Sequence, residues 1–128
     1  MAAKTTAKVK ASVDAEIFAA LRGVMASVEK ELRVQEDSPK NYSLVTKSLS
    51  HRGGPMWFGA VVSKSYVSLH FMPIYFNAPM LERLSPELRK RMQGKSCFNF
   101  KKMDEGLFAE LRGLMKDGVE AYRKRGWL

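Results

Sequence analysis

Apolar positions near the start of the chain recur with the period of an α-helix. Five of them are spaced four, three, four and four residues apart: Ile17, Leu21, Val24, Val28 and Leu32. This spacing gathers apolar side chains on one helix face and leaves the charged ones outside it. The pattern predicts an amphipathic helix that starts at Val13, is capped by Asp14 and ends before Pro39.

The middle of the chain alternates as β-strands do. Four segments carry this pattern together with β-branched and aromatic residues: 42–49, 56–63, 66–71 and 97–101. In the third segment Val67, Leu69 and Phe71 point to one face, while Ser68 and His70 point to the other. One face of the strand is apolar and the other is mixed, which predicts a sheet that is covered on one side only. The tight connections between the strands predict that the sheet is antiparallel.

Two further helices are predicted in the second half of the chain. Ser85 and Pro86 are the cap and first residue of a short helix that runs through Met92 and stops at Gly94. Asp104 caps a closing helix that ends at Gly126. Its apolar stripe consists of Leu107, Phe108, Leu111, Leu114, Met115 and Tyr122.

This order of elements predicts an α+β fold. The N- and C-terminal helices cover one face of the antiparallel sheet in a two-layer sandwich, and the other face stays open. The alternative is that the apolar segment 72–79 covers the open face. We expect one domain over residues 13–128, preceded by a mobile basic tail over residues 1–12 that contains Lys4, Lys8 and Lys10.

Composition adds a strongly positive charge. The 128 residues include 22 Lys and Arg against 13 Asp and Glu, a net charge of +9, and a single cysteine, Cys97. No apolar run is long enough for a membrane span, and the basic start has no apolar signal-peptide core. A lone cysteine excludes a disulfide framework and suits a reducing compartment. The sequence therefore predicts a cytoplasmic protein with no membrane association.

No catalytic or cofactor motif is recognised. His51 and His70 have no cysteine or acidic residue near them in sequence, and the chain has too few such ligands for a zinc site. The run Gly94-Lys95-Ser96 resembles part of a P-loop, but position 89, where a P-loop has glycine, is arginine. We predict a protein that is not an enzyme, needs no cofactor and contains Cys97 as a small buried thiol.

The open face is the predicted binding surface. Trp57 and Phe58 point to opposite faces, and the sequence leaves open which of them faces out. The candidate ligand-binding residues are Trp57, Tyr66, His70, Tyr75, Arg91, Lys95 and Ser96. The aromatic side chains would form a wall and the cations would attract an anion, so we expect a small anionic ligand or a protein partner. The chain is expected to be a monomer or a homodimer.

Nucleic acid is an alternative partner, because cations cluster beside two aromatic residues. The cations are Arg89, Lys90, Arg91, Lys95, Lys101 and Lys102. Phe98 and Phe100 share one strand face and would stack on bases in a single-stranded site. Burial of this pair in the core is the more frequent arrangement.

Two runs of sequence carry a family resemblance. They are residues 68–75, SLHFMPIY, and residues 84–100, LSPELRKRMQGKSCFNF, of which GKSCFNF is the most specific part. Together with the upstream GPMWFG and the closing helix, they resemble the YdhG-like family of small bacterial proteins, a family of domains of unknown function. The resemblance covers residues 40–126 and implies an α+β fold with helices flanking an antiparallel sheet.

One branch of that family is described as frataxin-like and acts as an intracellular iron chaperone. Frataxins bind iron weakly through an acidic ridge on the first helix and the neighbouring strand. For this chain the resemblance implies carboxylate ligands at Glu29, Glu31, Glu36 and Asp37. An iron chaperone is therefore the first alternative function and nucleic-acid binding the second, and the residue pattern by itself predicts no metal site.

Overall fold

The computed structural model describes the backbone of residues 2–49 and 53–128 and the side chains of residues 9–47 and 53–128. The helices of this part are α1 (Ala2–Ala26), α2 (Pro73–Phe76), α3 (Ala78–Glu82), α4 (Pro86–Arg89) and α5 (Glu105–Lys124). The strands are β1 (Arg33–Ser38), β2 (Asn41–Leu49), β3 (Pro55–Ser63), β4 (Val67–Phe71), β5 (Met92–Gln93) and β6 (Cys97–Phe100). Within these described stretches, every helix is too short or too polar to cross a membrane.

The strands form one six-stranded sheet in the order β1-β2-β3-β4-β6-β5. Every pair of neighbouring strands is antiparallel. The predicted α+β class, the antiparallel sheet and the helices at both ends of the chain are confirmed. β6 pairs with β4 across a connection that contains α2, α3 and α4, so the sheet is completed by a strand distant in sequence.

The core lies between one face of this sheet and the two long helices. Val61, Leu69 and Phe98 pair across β3, β4 and β6 and are fully buried on this face. The predicted stripe of α5 is buried against them, as are Ile17, Leu21, Val24 and Met25 of α1. Burial of each large apolar side chain contributes roughly 1.5–3 kcal/mol, which makes this layer the main source of stability.

A bulge in β3 decides which side chains enter the core. Leu44 of β2 pairs with Gly59 and the next residue, Val45, pairs with Trp57, so Phe58 is an extra residue on β3. Phe58 is fully buried among the core aromatics. Trp57 is half-buried on the opposite face, which answers the question that the alternation alone left open.

Gly59 allows the backbones to pack closely at this bulge. A Cβ atom at position 59 would lie 2.3 Å from the carbonyl oxygen of His70 and 3.0 Å from the Cε atom of Met25. Any larger residue would push β3 away from β4 or from α1. The glycine is therefore required by space rather than by its backbone angles.

Two predicted helix caps are confirmed. The Ser85 side chain accepts a hydrogen bond of 3.1 Å from the Leu88 amide, and the Asp104 side chain accepts one of 3.1 Å from the Leu107 amide. Each cap satisfies an amide that has no partner within its helix. Gly126, with φ of 76°, follows α5 as predicted.

The first helix differs from the prediction at both ends. It begins at Ala2, so residues 2–12 are helical, and Asp14 is not a cap but an acceptor for Lys10 at 2.7 Å. It ends at Ala26, and a 3-10 turn over Glu29–Glu31 then leads into β1. Val28 and Leu32 are buried, as the apolar period requires, although they lie outside the α-helix.

Three predictions for shorter segments are also corrected. β1 and β5 were not predicted, and α4 ends at Arg89, so that Met92 belongs to β5 rather than to a helix. The segment 72–79 forms α2 and the start of α3 and packs against the end of α5 rather than over the open face. There the rings of Phe76 and Trp127 lie 5.3 Å apart, and Arg125 donates a 2.8 Å hydrogen bond to the Phe76 carbonyl.

The close packing of α5 on β4 generates a stability prediction. A Cβ atom at Gly118 would lie 2.5 Å from Cζ of the buried Phe71, whereas nothing lies within 4 Å of one at Gly113. We expect Gly118→Ala to lower the free energy of unfolding by about 1–3 kcal/mol. Gly113→Ala, in the same helix, should raise it by about 0.5–1 kcal/mol through helix propensity. Urea unfolding of both variants checks this, and equal stability of the two would contradict the packing.

Candidate functional site

The sheet face opposite α1 and α5, here called the open face, carries a row of hydrogen-bonded polar side chains. Ser68 Oγ donates to Asn99 Oδ1 at 2.7 Å, and Asn99 Nδ2 donates to Gln93 Oε1 at 2.6 Å. The Tyr66 hydroxyl donates to the same Gln93 oxygen at 3.4 Å. These contacts join β4, β6 and β5, and they hold the side chains of the face in defined positions.

His70 and Cys97 are in contact on this face. They occupy paired positions of β4 and β6, and Cys97 Sγ lies 2.8 Å from His70 Nδ1. His70 has no cysteine near it in the sequence, as stated above, but the fold brings Cys97 into contact with it. Cys97 is partly exposed rather than buried. His51, the other histidine, lies outside the described residues.

The environment keeps both groups of this pair neutral. Burial, together with the positive charge of Lys64, lowers the pKa of His70, and burial raises the pKa of Cys97 against the opposing hydrogen bond of Ser96. In the neutral pair one hydrogen bond joins Sγ and Nδ1, and the tautomer of the ring determines which of the two atoms donates. The Cys97 contact therefore holds the imidazole ring in place and leaves Nε2 free of this hydrogen bond.

A hollow of about 300 Å³ lies beside this pair on the open face. Its lining residues are Val62, Lys64, Ser65, Tyr66, Ser68 and His70. Lys64 is exposed and forms no ion pair within the described part of the chain. Lys10 donates to the Ser65 carbonyl at 2.7 Å, and its charge is paired with Asp14 at the same distance. The hollow therefore combines hydroxyl groups, an imidazole and positive charge.

Trp57 borders the same region of the open face. Its ring centroid lies 6.1 Å from that of His70, at an interplanar angle of 45°. This distance is within the range of favourable contacts between aromatic rings. Trp57, Tyr66 and His70, three of the predicted binding residues, thus share one face, and their indole, phenol and imidazole groups are half-buried.

The remaining predicted binding residues lie elsewhere. Tyr75 and Lys95 line a second recess, here called the edge pocket, together with Ile74, Ala78, Leu81, Arg89, Met92 and Gly94. Ser96 lies between the two recesses, where its carbonyl accepts a 2.8 Å hydrogen bond from the Phe71 amide. Arg91 lines neither recess and pairs through its carbonyl with the Asn99 amide. The single predicted groove is therefore corrected to three recesses: the hollow, the edge pocket, and a third that Trp57 lines together with Arg33, Val34, Gln35, Val45 and Pro55.

Sequence reasoning missed Lys64, Ser68, Gln93, Cys97 and Asn99. Strand alternation was sufficient to place Ser68 on the open face with His70, and Asn99 on the same face as Cys97. Nothing in the sequence pattern indicated that β6 pairs with β4, and this pairing brings the two sets together.

The four carboxylates that the family resemblance implies for iron are engaged in other contacts. Glu29 accepts from the Tyr42 hydroxyl, and Glu36 accepts from Ser38 at 3.3 Å. Asp37 pairs with Arg22 at 2.7 Å, and Glu31 pairs with Arg123 at 3.1 Å. In the ranges that the structure describes, no three His, Cys, Asp or Glu side chains are grouped closely enough to hold a metal ion.

The aromatic part of the nucleic-acid hypothesis is also decided by burial. Phe98 and Phe100 are 0% and 2% exposed, and the Phe100 ring lies 5.0 Å from that of Phe108 in the core. Core burial of the pair is confirmed, and neither ring is accessible to a base. What remains of that hypothesis is the net positive charge, which attracts polyanions without specificity.

No family model matches the chain, and searches of the curated proteins and of the solved structures also find no match. The resemblance to the YdhG-like family therefore stays a prediction.

The charge of Lys64 generates a prediction for His70. Because Lys64 lowers the pKa of His70, Lys64→Ala should raise that pKa towards the ordinary value of about 6.5 without reaching it, since burial is the larger cause. Lys116→Ala removes the same charge from α5. Lys116 is not among the causes of the pKa shift of His70, so this variant should leave that pKa unchanged. NMR titration of the imidazole resonances measures both, and an equal response to the two variants would contradict the assignment.

The lowered pKa of His70 also makes stability depend on pH. Below about pH 6.5 the unfolded chain binds a proton at this position that the folded chain resists, so stability falls as the pH falls. His70→Gln removes this contribution while carboxylate titration is retained. We expect the stability difference between pH 7.5 and pH 5.5, measured by urea unfolding, to be smaller in the variant. A difference as large as that of the unmodified chain would show that His70 does not contribute.

Proposed function

We propose that this protein is a non-enzymatic binding domain that holds a small anionic ligand in the hollow of the open face. The observation that carries the proposal is the composition of the hollow. Lys64 supplies positive charge and N–H donors, Ser65 and His70 add polar side chains, and no carboxylate lines the hollow. The hydroxyl protons of Tyr66 and Ser68 are already donated to Gln93 and Asn99. Charge-assisted hydrogen bonds to a lysine are among the stronger polar contacts.

The size and chemistry of the hollow favour a small molecule over a protein partner. Its volume of about 300 Å³ is at the lower end of the range of ligand pockets. The large apolar side chains that are well exposed in the described chain are Val9, Val34, Tyr75 and Met103, and none of them lines the hollow. A protein-binding surface would instead centre on an apolar patch.

The Cys97–His70 pair supports binding rather than covalent catalysis. A nucleophilic cysteine acts as the thiolate, which requires a lowered pKa. Burial raises the pKa of Cys97 and lowers that of His70, so the neutral pair is favoured. In our proposal Cys97 orients the imidazole, and His70 donates to the ligand.

We also propose membership of the YdhG-like family, on the sequence runs that carry the resemblance. The α+β fold with an antiparallel sheet is what that resemblance implies. The frataxin-like role has less support, because the four carboxylates concerned have partners and are not grouped. Nucleic acid is retained as an outcome of the experiment below.

Titration with inorganic phosphate, citrate and a single-stranded oligonucleotide tests the proposal. Trp57 lies 6.1 Å from His70, so its fluorescence should change on binding, and Trp57→Phe separates this signal from that of the buried Trp127. We expect saturable binding of phosphate or citrate, measured by calorimetry and fluorescence. Lys64→Ala should weaken it about three- to tenfold, which corresponds to the net contribution of one solvent-exposed hydrogen bond.

Lys116→Ala is the matched control, because it removes the same charge from an exposed position on α5. It should change the affinity less than about twofold. Equal losses in the two variants would reduce the effect to net charge and contradict a specific site. Binding of the oligonucleotide alone, with a steep salt dependence, would replace the proposal with the nucleic-acid alternative. No binding of any of the three would end it.

A further inference from the structure

The edge pocket differs chemically from the hollow and shares no lining residue with it. It has a volume of about 440 Å³ and lies between the α2–α3 segment and the turn that joins β5 to β6. We propose that it binds a carboxylate carried on an apolar body, such as a medium-chain alkyl or an aryl carboxylate. This site and ligand class are independent of the proposed function of the hollow.

The floor of the pocket is apolar. Ile74, Ala78, Leu81 and Met92 contribute aliphatic or thioether groups, and Ile74 is only 4% exposed. Tyr75 forms one wall with 58% of its surface exposed, an unusual exposure for an aromatic side chain of this size. An apolar ligand body that covers this floor removes apolar surface from water, which favours binding. A small inorganic anion would not benefit from this effect.

Two cations complete the lining. Lys95 Nζ lies 5.7 Å from the centroid of the Tyr75 ring, and Arg89 lines the pocket from α4. Both are exposed, and neither has an ion-pair partner in the part of the chain that the structure describes. No carboxylate lines the pocket. A lining with this positive charge favours an anionic ligand group. The planar guanidinium of an arginine can donate two parallel hydrogen bonds to a carboxylate.

The backbone holds these groups in place before any ligand binds. Gly94 has φ of 75°, a left-handed conformation that favours glycine, and its turn leads directly to Lys95. The Ser85 cap starts the turn of helix that carries Arg89, and Glu110 of α5 accepts hydrogen bonds from the Ser85 amide and hydroxyl at 2.8 and 2.6 Å. A site built in advance loses less conformational entropy on binding.

Three probes separate the charged and apolar parts of the proposed ligand. Octanoate has both parts, octanol has only the apolar body, and acetate has only the carboxylate. Calorimetric titration of the full chain should show saturable binding of octanoate, with octanol and acetate each at least about tenfold weaker, because each lacks one of the two complementary groups. Equal affinity for octanoate and octanol, or no binding of octanoate, would overturn the proposal.

Variants assign the site. Lys95→Ala and Arg89→Ala should each weaken octanoate binding about three- to tenfold. Lys90→Ala is the matched control, since Lys90 is exposed next to Arg89 and does not line the pocket. It should change the affinity less than about twofold. An equal loss in the control would overturn the assignment to this pocket.

Lys64→Ala distinguishes this proposal from the function proposed for the hollow. It should leave octanoate binding unchanged while it weakens phosphate or citrate binding. Loss of octanoate binding in Lys64→Ala, with no effect of Lys95→Ala, would place the ligand in the hollow and contradict an edge-pocket site. Circular dichroism of each variant confirms that the fold is retained.

Discussion

The bulge at Phe58 in the central part of β3 is the constraint on which both faces of the sheet depend. The extra residue lets Phe58 enter the core while Trp57 lies on the open face. Tyr122 of α5 contacts both residues of the bulge. Its ring packs against that of Phe58 with centroids 5.5 Å apart, and its hydroxyl donates a 2.6 Å hydrogen bond to the Trp57 carbonyl. Gly59 beside the bulge admits Met25 of α1. One strand therefore positions both long helices and the aromatic wall of the open face.

The sequence pattern predicted the elements that bury an apolar stripe, and it failed where burial does not decide the structure. α5 and the strands β2, β3, β4 and β6 supply apolar side chains that are buried in the core. β1 has the sequence RVQEDS and is almost wholly exposed, so no alternation marks it, and it forms because β2 offers an edge to pair with. The first helix was predicted too long at its end, because Val28 and Leu32 keep the helical period through a 3-10 turn.

The candidate site was predictable only as far as local alternation extends. Alternation within the predicted strand 66–71 placed Tyr66 and His70 together on the open face. The contact of His70 with Cys97 joins residues 27 positions apart and depends on the insertion of β6 between β4 and β5, which no local pattern encodes. Tyr75 is close to His70 in sequence, but the chain leaves the sheet after Phe71, and Tyr75 faces the edge pocket instead.

The described chain uses few of its cations in ion pairs. Carboxylates on β1 and on the 3-10 turn are used in ion pairs with the long helices, as in Arg22–Asp37 at 2.7 Å and Arg123–Glu31 at 3.1 Å. Lys64, Arg89 and Lys95, which line the hollow and the edge pocket, have no such partners among the described residues. Uncompensated cations that line a concave surface focus the local potential and attract anions. Because most other described lysines and arginines also lack ion-pair partners, the net charge of +9 cannot by itself select a site, and in our proposals the different linings of the hollow and the edge pocket determine which anion each one retains.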